Sequence, residues 1–153
     1  MKTILTPVDF SAITETVVAA AAVLARDQKA RLVLINITQL PLIASEYAPY
    51  MENVAEAVTV SERAAAKHLD RFAQRLKADG LVTDTLQVTG DPVSYILKQA
   101  AELEADYIVM GSHGHTAMYD LLVGSTTHRV LLKAACPVLV VPASRKKSAR
   151  PKK

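Results

Sequence analysis

Three of the chain's five glycines lie close together, directly after a predicted strand. They are Gly111, Gly114 and Gly124, and Ser125 and Thr126 follow the last of them at the predicted start of a helix. Phosphate binding needs backbone N–H groups that converge without side chains in the way, and glycine allows both the close approach and unusual dihedral angles. A helix N-terminus adds unpaired N–H groups and partial positive charge. The segment is a candidate phosphate-binding loop, although glycines also follow strands in ordinary turns.

Two histidines inside this segment, His113 and His115, raise the question of a metal site. Zinc sites combine Cys, His, Asp or Glu ligands at short characteristic spacings. No Cys, Asp or Glu stands at such a spacing from the pair, and His68 and His128 belong to other predicted helices. We therefore predict no metal-ligating residues, and we interpret His113 as a solvated loop residue or a neighbour of bound phosphate.

The elements that must position this segment are five short apolar runs alternating with four helical patterns. The runs cover residues 4–8, 32–37, 85–88, 107–110 and 138–141. These runs are too apolar for a sheet that has one face exposed to water. Such runs are typical of an α/β fold in which helices cover both faces of a parallel sheet. Ligands bind such sheets beyond the carboxyl ends of the strands, where the winding reverses. The glycine-rich segment follows the fourth run and lies at that edge.

Local signals predict where the helices begin and end. Ser11 is the predicted N-cap of the first helix, and Gly80 is predicted to end the long second helix. Asp91-Pro92 is a strong start signal for the third helix, because an Asp cap accepts first-turn N–H groups and Pro suits the first turn. The fourth helix is predicted over residues 125–134.

Three other classes of α/β protein need residues that this chain lacks. A Walker-type loop needs Gly-Lys followed by Ser or Thr after a strand, and no such sequence occurs. A dinucleotide fingerprint places glycines after the first strand, where this chain has Asp9, Phe10 and Ser11. A response-regulator receiver needs an acidic pair after the first strand, an Asp ending the third and a Lys ending the fifth. The chain offers Asp9 alone, Thr89 and Pro142.

The formal charge of +3 is concentrated at one end of the chain. Residues 143–153 hold six of the 18 Lys and Arg residues and no acidic ones. The rest of the chain has 12 basic and 15 acidic residues, so its formal charge is −3. We expect this basic tail to be disordered and solvated. The body lacks the basic surface typical of nucleic-acid binding, so nucleic acid is not an expected partner.

The chain's length fits one domain, which we predict over residues 1–142. No apolar stretch approaches the roughly 20 residues that cross a bilayer, so no membrane association is expected. Pro7 and Asp9 interrupt the first apolar run, which differs from a signal peptide. The single cysteine, Cys136, cannot form an internal disulfide. These features predict a cytoplasmic protein.

Several motifs together resemble the universal stress protein family. The specific one is Gly111-x-x-Gly114, nine residues, then Gly124-Ser125, which resembles the nucleotide-binding signature of the family's ATP-binding branch. Residues 4–11, residues 136–142 and, more weakly, residues 90–92 are similar to further family motifs. The resemblance covers residues 1–142. It implies a Rossmann-like fold of the adenine nucleotide α-hydrolase type, with strand order 3-2-1-4-5.

The resemblance also implies which residues contact the nucleotide. Asp9 would reach polar groups of the ribose or adenine, and Ile37 would line the adenine pocket. Met110 would flank the nucleoside, and the glycines with Ser125 would hold the phosphates. The implied set is Pro7, Val8, Asp9, Ile37, Met110, Gly111, His113, Gly114, Gly124, Ser125 and Thr126.

The implied ligand is ATP with Mg²⁺, because the branch that does not bind ATP lacks glycines that this chain keeps. No Lys or Arg lies within residues 111–125, and Arg129 and Lys133 follow on the next helix. Since phosphoryl transfer needs charge stabilisation at the γ-phosphate, we expect a nucleotide-dependent regulator or sensor of the stress response and not a fast enzyme. Slow ATP hydrolysis, with Asp120 as a candidate Mg²⁺ contact, stays open. So does a non-catalytic interaction module whose nucleotide is structural.

Two partner predictions follow. An apolar strand at a sheet edge tends to pair with another strand, and the family pairs its fifth strand with a second copy. The resemblance therefore implies a homodimer through Val138–Val141. An unidentified protein partner would read the nucleotide state. The connector at residues 39–53 is a candidate lid over the ligand, with a plain connector as the alternative.

Overall fold

The computed structural model describes residues 1–40, 51–115 and 123–143, except for the side chains of Met51 and Glu52. Strands and helices alternate along the described chain. The elements are β1 Thr3–Pro7, α1 Thr14–Gln28, β2 Arg31–Thr38, α2 Met51–Ala78, β3 Thr83–Thr89, α3 Pro92–Glu102, β4 Tyr107–Gly111, α4 Ser125–Lys133 and β5 Val138–Val141.

The strands form one parallel sheet in the order β3-β2-β1-β4-β5, which confirms the prediction. β1 is central, with Ile4 opposite Leu32 of β2 on one side and Tyr107 of β4 on the other. The chain winds outward from β1 through β2 to β3, and then crosses back to β4 and β5. The winding therefore reverses between β1 and β4, where a cleft opens in folds of this kind.

The sheet is covered on both faces, as the continuous apolar runs predicted. On one face, Ile4 and Leu34 pack in a core with Val18 of α1 and Leu69 of α2. The opposite face has a separate core that contains residues of β1, β2 and β4 together with α3 and α4: Leu5, Val33, Ile35, Val93, Ile96, Ala105, Ile108, Met110 and Val130. Alternate residues of each strand thus supply opposite layers.

Two of the predicted helix signals are confirmed and one is wrong. Asp91 caps α3, accepting the Ser94 N–H at 2.9 Å, and Gly80 follows α2 with a left-handed φ of +83°. Ser11 does not cap α1, which begins only at Thr14. A turn intervenes, in which the Thr14 N–H donates to the Ser11 backbone oxygen at 3.0 Å.

Some predictions lie outside the described residues. They concern most of the connector at residues 39–53, Asp120, and the tail beyond Ala143. The extent of the domain over residues 1–142 stays a prediction. Among the described helices, none combines the length and apolar character that a membrane crossing requires.

Candidate functional site

The candidate site lies beyond the carboxyl ends of β1 and β4. The end of β1 is held firmly, because the Val8 N–H donates to the Ile35 oxygen at 2.8 Å. The Val8 oxygen accepts from Asn36 Nδ2 at 2.9 Å, and Asn36 is buried. A polar side chain inside this apolar core therefore has a partner, and it fixes the point at which the chain leaves the sheet.

Residues 8–11, called here the Asp9 turn, place an exposed carboxylate at this edge. Asp9 Oδ1 accepts the Ser11 N–H at 2.9 Å and lies 3.5 Å from Thr14 Oγ1. A carboxylate that bonds the backbone two residues further on forms an Asx turn. The acid thus shapes the connection into α1 without capping the helix directly.

Residues 111–115, called here the glycine loop, lie against the Asp9 turn. A Cβ added to Gly114 would overlap Asp9 Oδ2. The ring of His115 donates from Nε2 to the Asp9 backbone oxygen at 2.7 Å, which joins the two segments a second time. The structure therefore brings Asp9 and Gly114 together from opposite ends of the sequence.

The reason for glycine in this loop differs in part from the sequence-based interpretation. Gly111, Gly114 and Gly124 all lack the positive φ that favours glycine, whereas Gly80 and Gly90 have it. Added Cβ atoms would meet Ile13 Cγ2 at 3.2 Å from Gly111, and the Ser112 oxygen at 3.4 Å from Gly124. Close approach, and not unusual dihedral angles, is what glycine provides here.

Ser112 is a buried junction of the site that the set of implied contacts leaves out. Its N–H donates to the Val141 oxygen at 2.8 Å, and its own oxygen accepts the Gly124 N–H at 2.6 Å. Its hydroxyl accepts the Ala143 N–H at 3.1 Å and lies 3.0 Å from His113 Nδ1. Ser112 therefore ties the glycine loop to the end of β5 and to the start of α4. The position of Ser112 between Gly111 and Gly114 was the sequence signal that could have identified it.

The start of α4 closes the other side of the loop. Gly124 is the N-cap residue and provides no side-chain cap, and the first turn contains no acidic side chain. First-turn N–H groups of a helix lack intrahelical partners, so those of Ser125 and Thr126 carry partial positive charge. Thr127 Oγ1 donates to the Gly111 oxygen at 2.8 Å and anchors this end of the helix to the glycine loop. The arrangement suits an anion.

A cleft of about 110 Å³ opens beside the Asp9 turn and the start of α4, and residues of the glycine loop do not line it. Five members of the sequence-based set line this cleft, namely Pro7, Val8, Asp9, Ile37 and Thr126. Gln39 and Pro92 also line it and were missed. Both follow the carboxyl ends of strands, β2 and β3, so the rule that located the site could have indicated them.

The other six members of the set, among them all three glycines, do not line this cleft. Met110 is buried, with 4% of its surface exposed, and packs in the core on the α3 and α4 face. Met110 is thus packed as a core residue. Gly111 contacts Ile13, and His113 is half-buried beside Ser112.

The charges near the cleft are largely matched. Hydrogen bonds from the Ser94 hydroxyl and backbone hold the pKa of the Asp91 carboxyl below its usual range, and Arg129 and Lys133 lower it further. Arg129 lies 3.9 Å from Asp91 across the exposed surface. Among the described residues, no group of three or more potential metal ligands is close enough to hold a metal ion.

Comparison with known proteins identifies the family to which this architecture belongs. The model of the universal stress protein family matches residues 1–142. This chain is a member of that family. Among curated relatives, universal stress protein YxiE of Bacillus subtilis (strain 168) is 26% identical over 145 residues, covering 90% of this chain and 96% of the relative.

Solved universal stress proteins share the fold. The structure of MJ0577, a protein of Methanocaldococcus jannaschii, superposes with a TM-score of 0.82 at 28% identity, covering 95% of this chain and 98% of the other. UspA from Lactobacillus plantarum gives a TM-score of 0.83 at 24% identity, covering 92% and 97%. Two more distant members, at 23% and 21% identity, were solved in complex with cAMP and, from Archaeoglobus fulgidus, with dAMP.

The residues present fit a nucleoside phosphate. The cleft has apolar lining from Pro7, Val8 and Ile37 beside the Asp9 carboxylate, which suits a base and a sugar hydroxyl. Asp9 Oδ2 already occupies the space that a Gly114 side chain would need, and the uncapped start of α4 adjoins the same loop. The cleft of this universal stress protein therefore offers the Asp9 carboxylate as an acceptor and, at Thr126, the first turn of α4 as a source of N–H donors.

Proposed function

We propose that this universal stress protein binds ATP with Mg²⁺ and acts as a nucleotide-dependent regulator or sensor in the stress response. One observation carries the proposal: the Asp9 carboxylate and the glycine loop meet at the reversal of winding, beside the uncapped start of α4. A nucleotide needs complementary contacts at both of its ends, and the cleft offers an acceptor and donors in that arrangement.

Each side of the candidate site has a distinct task in this proposal. Asp9 and Ile37, with Pro7 and Val8, hold the nucleoside, because an exposed carboxylate suits a sugar hydroxyl and would repel phosphate. Backbone N–H groups of the glycine loop and of residues 124–126 hold the phosphates. ATP brings its Mg²⁺ on its own phosphate oxygens, so a protein cage for the metal is not required.

Related structures support the ligand class. The members solved with cAMP and dAMP show that this fold accommodates adenine nucleotides, although their likeness to this chain is one of fold. The proposal of a triphosphate is based on this chain's own glycines, where the backbone packs too closely on its neighbours to leave room for a Cβ at Gly114.

Binding is favoured over rapid hydrolysis. Arg129 lies one turn into α4 and faces Asp91 at 3.9 Å, so its charge is partly engaged away from the glycine loop. Lys133 ends α4, at the opposite end from Gly124. A fast phosphoryl-transfer site places cations at the γ-phosphate, and the described loop residues 111–115 include no Lys or Arg. The protein therefore acts as a sensor, with hydrolysis at most slow.

A homodimer through β5 completes the proposal. β5 lies at an edge of the sheet, and Leu139 on it is 43% exposed. Leu132 on the neighbouring α4 is 72% exposed. An apolar edge strand invites pairing with another strand, and a second copy of β5 is the matching one. Light scattering should give twice the chain mass, and Leu139→Lys should give the monomer mass. An unidentified protein partner and a cytoplasmic location remain predictions from the sequence.

Chemical analysis of the purified protein tests the proposed ligand. The protein is isolated without added nucleotide and denatured, and the released small molecules are identified by chromatography and mass spectrometry. The stripped protein is then titrated with ATP and Mg²⁺ by calorimetry. We expect about one adenine nucleotide per chain and micromolar rebinding, near −8 kcal/mol. No released nucleotide and no binding heat would contradict the proposal, and would favour the alternative of an interaction module.

A further inference from the structure

Phe10, which directly follows Asp9, has an unusual backbone conformation. Its φ is +58°, in the left-handed region that a bulky side chain adopts only where its surroundings impose it. Among the described residues, two other non-glycines share this feature, Lys29 and Glu104, but each lies where a helix ends. A left-handed residue is an ordinary way to end a helix. Phe10 lies in the Asp9 turn, away from any helix end, so its conformation needs another cause.

The ring of Phe10 is held by α2. Its centroid lies 4.9 Å from that of His68 and 6.5 Å from that of Phe72, whose plane is nearly parallel to it. The Arg75 guanidinium stands 5.0 Å above the Phe72 ring and donates to Glu15 of α1, at 2.7 and 3.4 Å. Both helices of this face thus support the aromatic packing, which stabilises the strained turn.

Adjacent side chains in this turn contact different parts of the molecule. Asp9 lines the cleft and reaches the glycine loop, whereas Phe10 packs on α2. The backbone at Phe10 connects Asp9 to Ser11, whose N–H returns to the Asp9 carboxylate at 2.9 Å. Because the Phe10 ring determines the backbone at this step, it also determines where the Ser11 N–H places that carboxylate.

We propose that Phe10 is a positioning residue of the nucleotide site, which orients Asp9 against Gly114 through its packing on His68 and Phe72. The consequence for affinity depends on the proposed function, while the orientation of Asp9 does not. α2 thereby becomes a structural support of the site, although His68 and Phe72 do not line the cleft. Changes on α2 then alter nucleotide affinity without touching the nucleotide.

Two readouts on full-length protein test this inference. The first is the position of the Ser11 and Gly114 amide resonances in ligand-free protein, and the second is the calorimetric Kd for ATP with Mg²⁺. Phe10→Ala should move both resonances and weaken binding about tenfold, equal to 1.4 kcal/mol. Phe10→Tyr keeps the ring and should restore both. Leu24→Ala removes a half-buried side chain of α1 from the same core, and should lower stability while leaving both readouts unchanged.

A double-mutant cycle separates positioning from a general loss of structure. If Phe10 acts through Asp9, Phe10→Ala should weaken binding by less than about twofold once Asp9 is already alanine, which is the limit of additivity errors. A full tenfold loss in that background would overturn the inference. Should Phe10→Ala fail to fold, Phe72→Leu withdraws the supporting ring and should move the same two resonances.

The outcomes distinguish this inference from the proposed function. If wild-type protein does not bind ATP but the Ser11 and Gly114 resonances move in Phe10→Ala, the proposed ligand is wrong and the positioning role is supported. If ATP binds equally well to wild type and to Phe10→Ala, with both resonances unmoved, the positioning role is wrong and the proposed function stands.

Discussion

The two walls of the candidate site, namely the Asp9 turn and the glycine loop, are built in different ways. The Asp9 turn presents a carboxylate and is held by side chains, with Asp9 bonded to the Ser11 N–H and Phe10 packed on α2. The glycine loop presents backbone atoms and is held chiefly by the backbone bonds of Ser112 to Val141 and Gly124, with the Thr127 hydroxyl on Gly111 as a side-chain anchor. Truncating a side chain should therefore damage the first wall, whereas adding a Cβ should damage the second.

The largest effect is expected at Gly114, where the two walls touch. Gly114→Val places side-chain atoms where Asp9 Oδ2 lies and should weaken ATP binding by about 100-fold or more, equal to some 2.7 kcal/mol. Alanine substitutions should weaken ATP binding most at Gly114, less at Gly111 and least at Gly124, because the space available for a Cβ increases in that order. Calorimetry on the series checks this. Equal losses at all three positions would show that space is not the requirement.

A smaller effect is expected at Asp9 itself. Asp9→Ala removes the acceptor and should weaken ATP binding about tenfold, or 1.4 kcal/mol. Asp9→Asn keeps an oxygen that accepts the Ser11 N–H, so its loss of ATP affinity should be smaller. The Gly114→Ala penalty should shrink when Asp9 is also alanine, because the overlapping oxygen is gone. If calorimetry shows that the affinity losses of Asp9→Ala and Gly114→Ala simply add in the double variant, the two walls do not act as one site.

Ser112 tests how the glycine loop is held. Ser112→Ala removes the hydroxyl that accepts the Ala143 N–H, and Ser112 is only 5% exposed. We expect the free energy of unfolding to fall by about 1 kcal/mol, the usual net value of one hydrogen bond. ATP affinity should change little, since the backbone bonds to Val141 and Gly124 remain. Urea denaturation measures the first quantity and calorimetry the second; a strong loss of affinity at unchanged stability would point to direct ligand contact.

The smallest expected effect concerns Asp91 and acid stability. Its pKa in the folded protein is lowered, chiefly by hydrogen bonds from Ser94. A lowered folded-state pKa means that the stabilisation is complete above the unfolded value of 3.8 and is lost as the pH falls below it. Asp91→Ala should therefore lower the melting temperature at pH 7, with the difference from wild type narrowing near pH 3. A difference that does not change with pH would show that the carboxylate's charge is not involved.

Much of the fold could be predicted because its signals are local. Continuous apolar runs separated by helical patterns indicated the covered parallel sheet, and Asp91-Pro92 indicated where α3 begins. Ser11 misled because the same local signal serves both a cap and a turn. Here the Asp9 carboxylate accepts the Ser11 N–H in a turn, and α1 begins only at Thr14.

The candidate site was less accessible from sequence, because its parts meet only through the sheet order. Gln39 and Pro92 follow different strands, β2 and β3, and only the order of the strands in the sheet brings them to one cleft. The glycines were recognised, but the reason for Gly114 is a carboxylate that lies 105 positions earlier in the chain. The strain at Phe10 is likewise imposed by α2 and has no local signature.

The most direct test of the central claim, that both walls form one nucleotide site, is to follow all backbone amide resonances during a titration with ATP and Mg²⁺. We predict that the resonances of Ser11 in the Asp9 turn, Gly114 in the glycine loop and Thr126 in α4 shift together, along one saturation curve with one ligand per chain. Shifts confined to one wall, or saturating at different concentrations on the two walls, would contradict the claim.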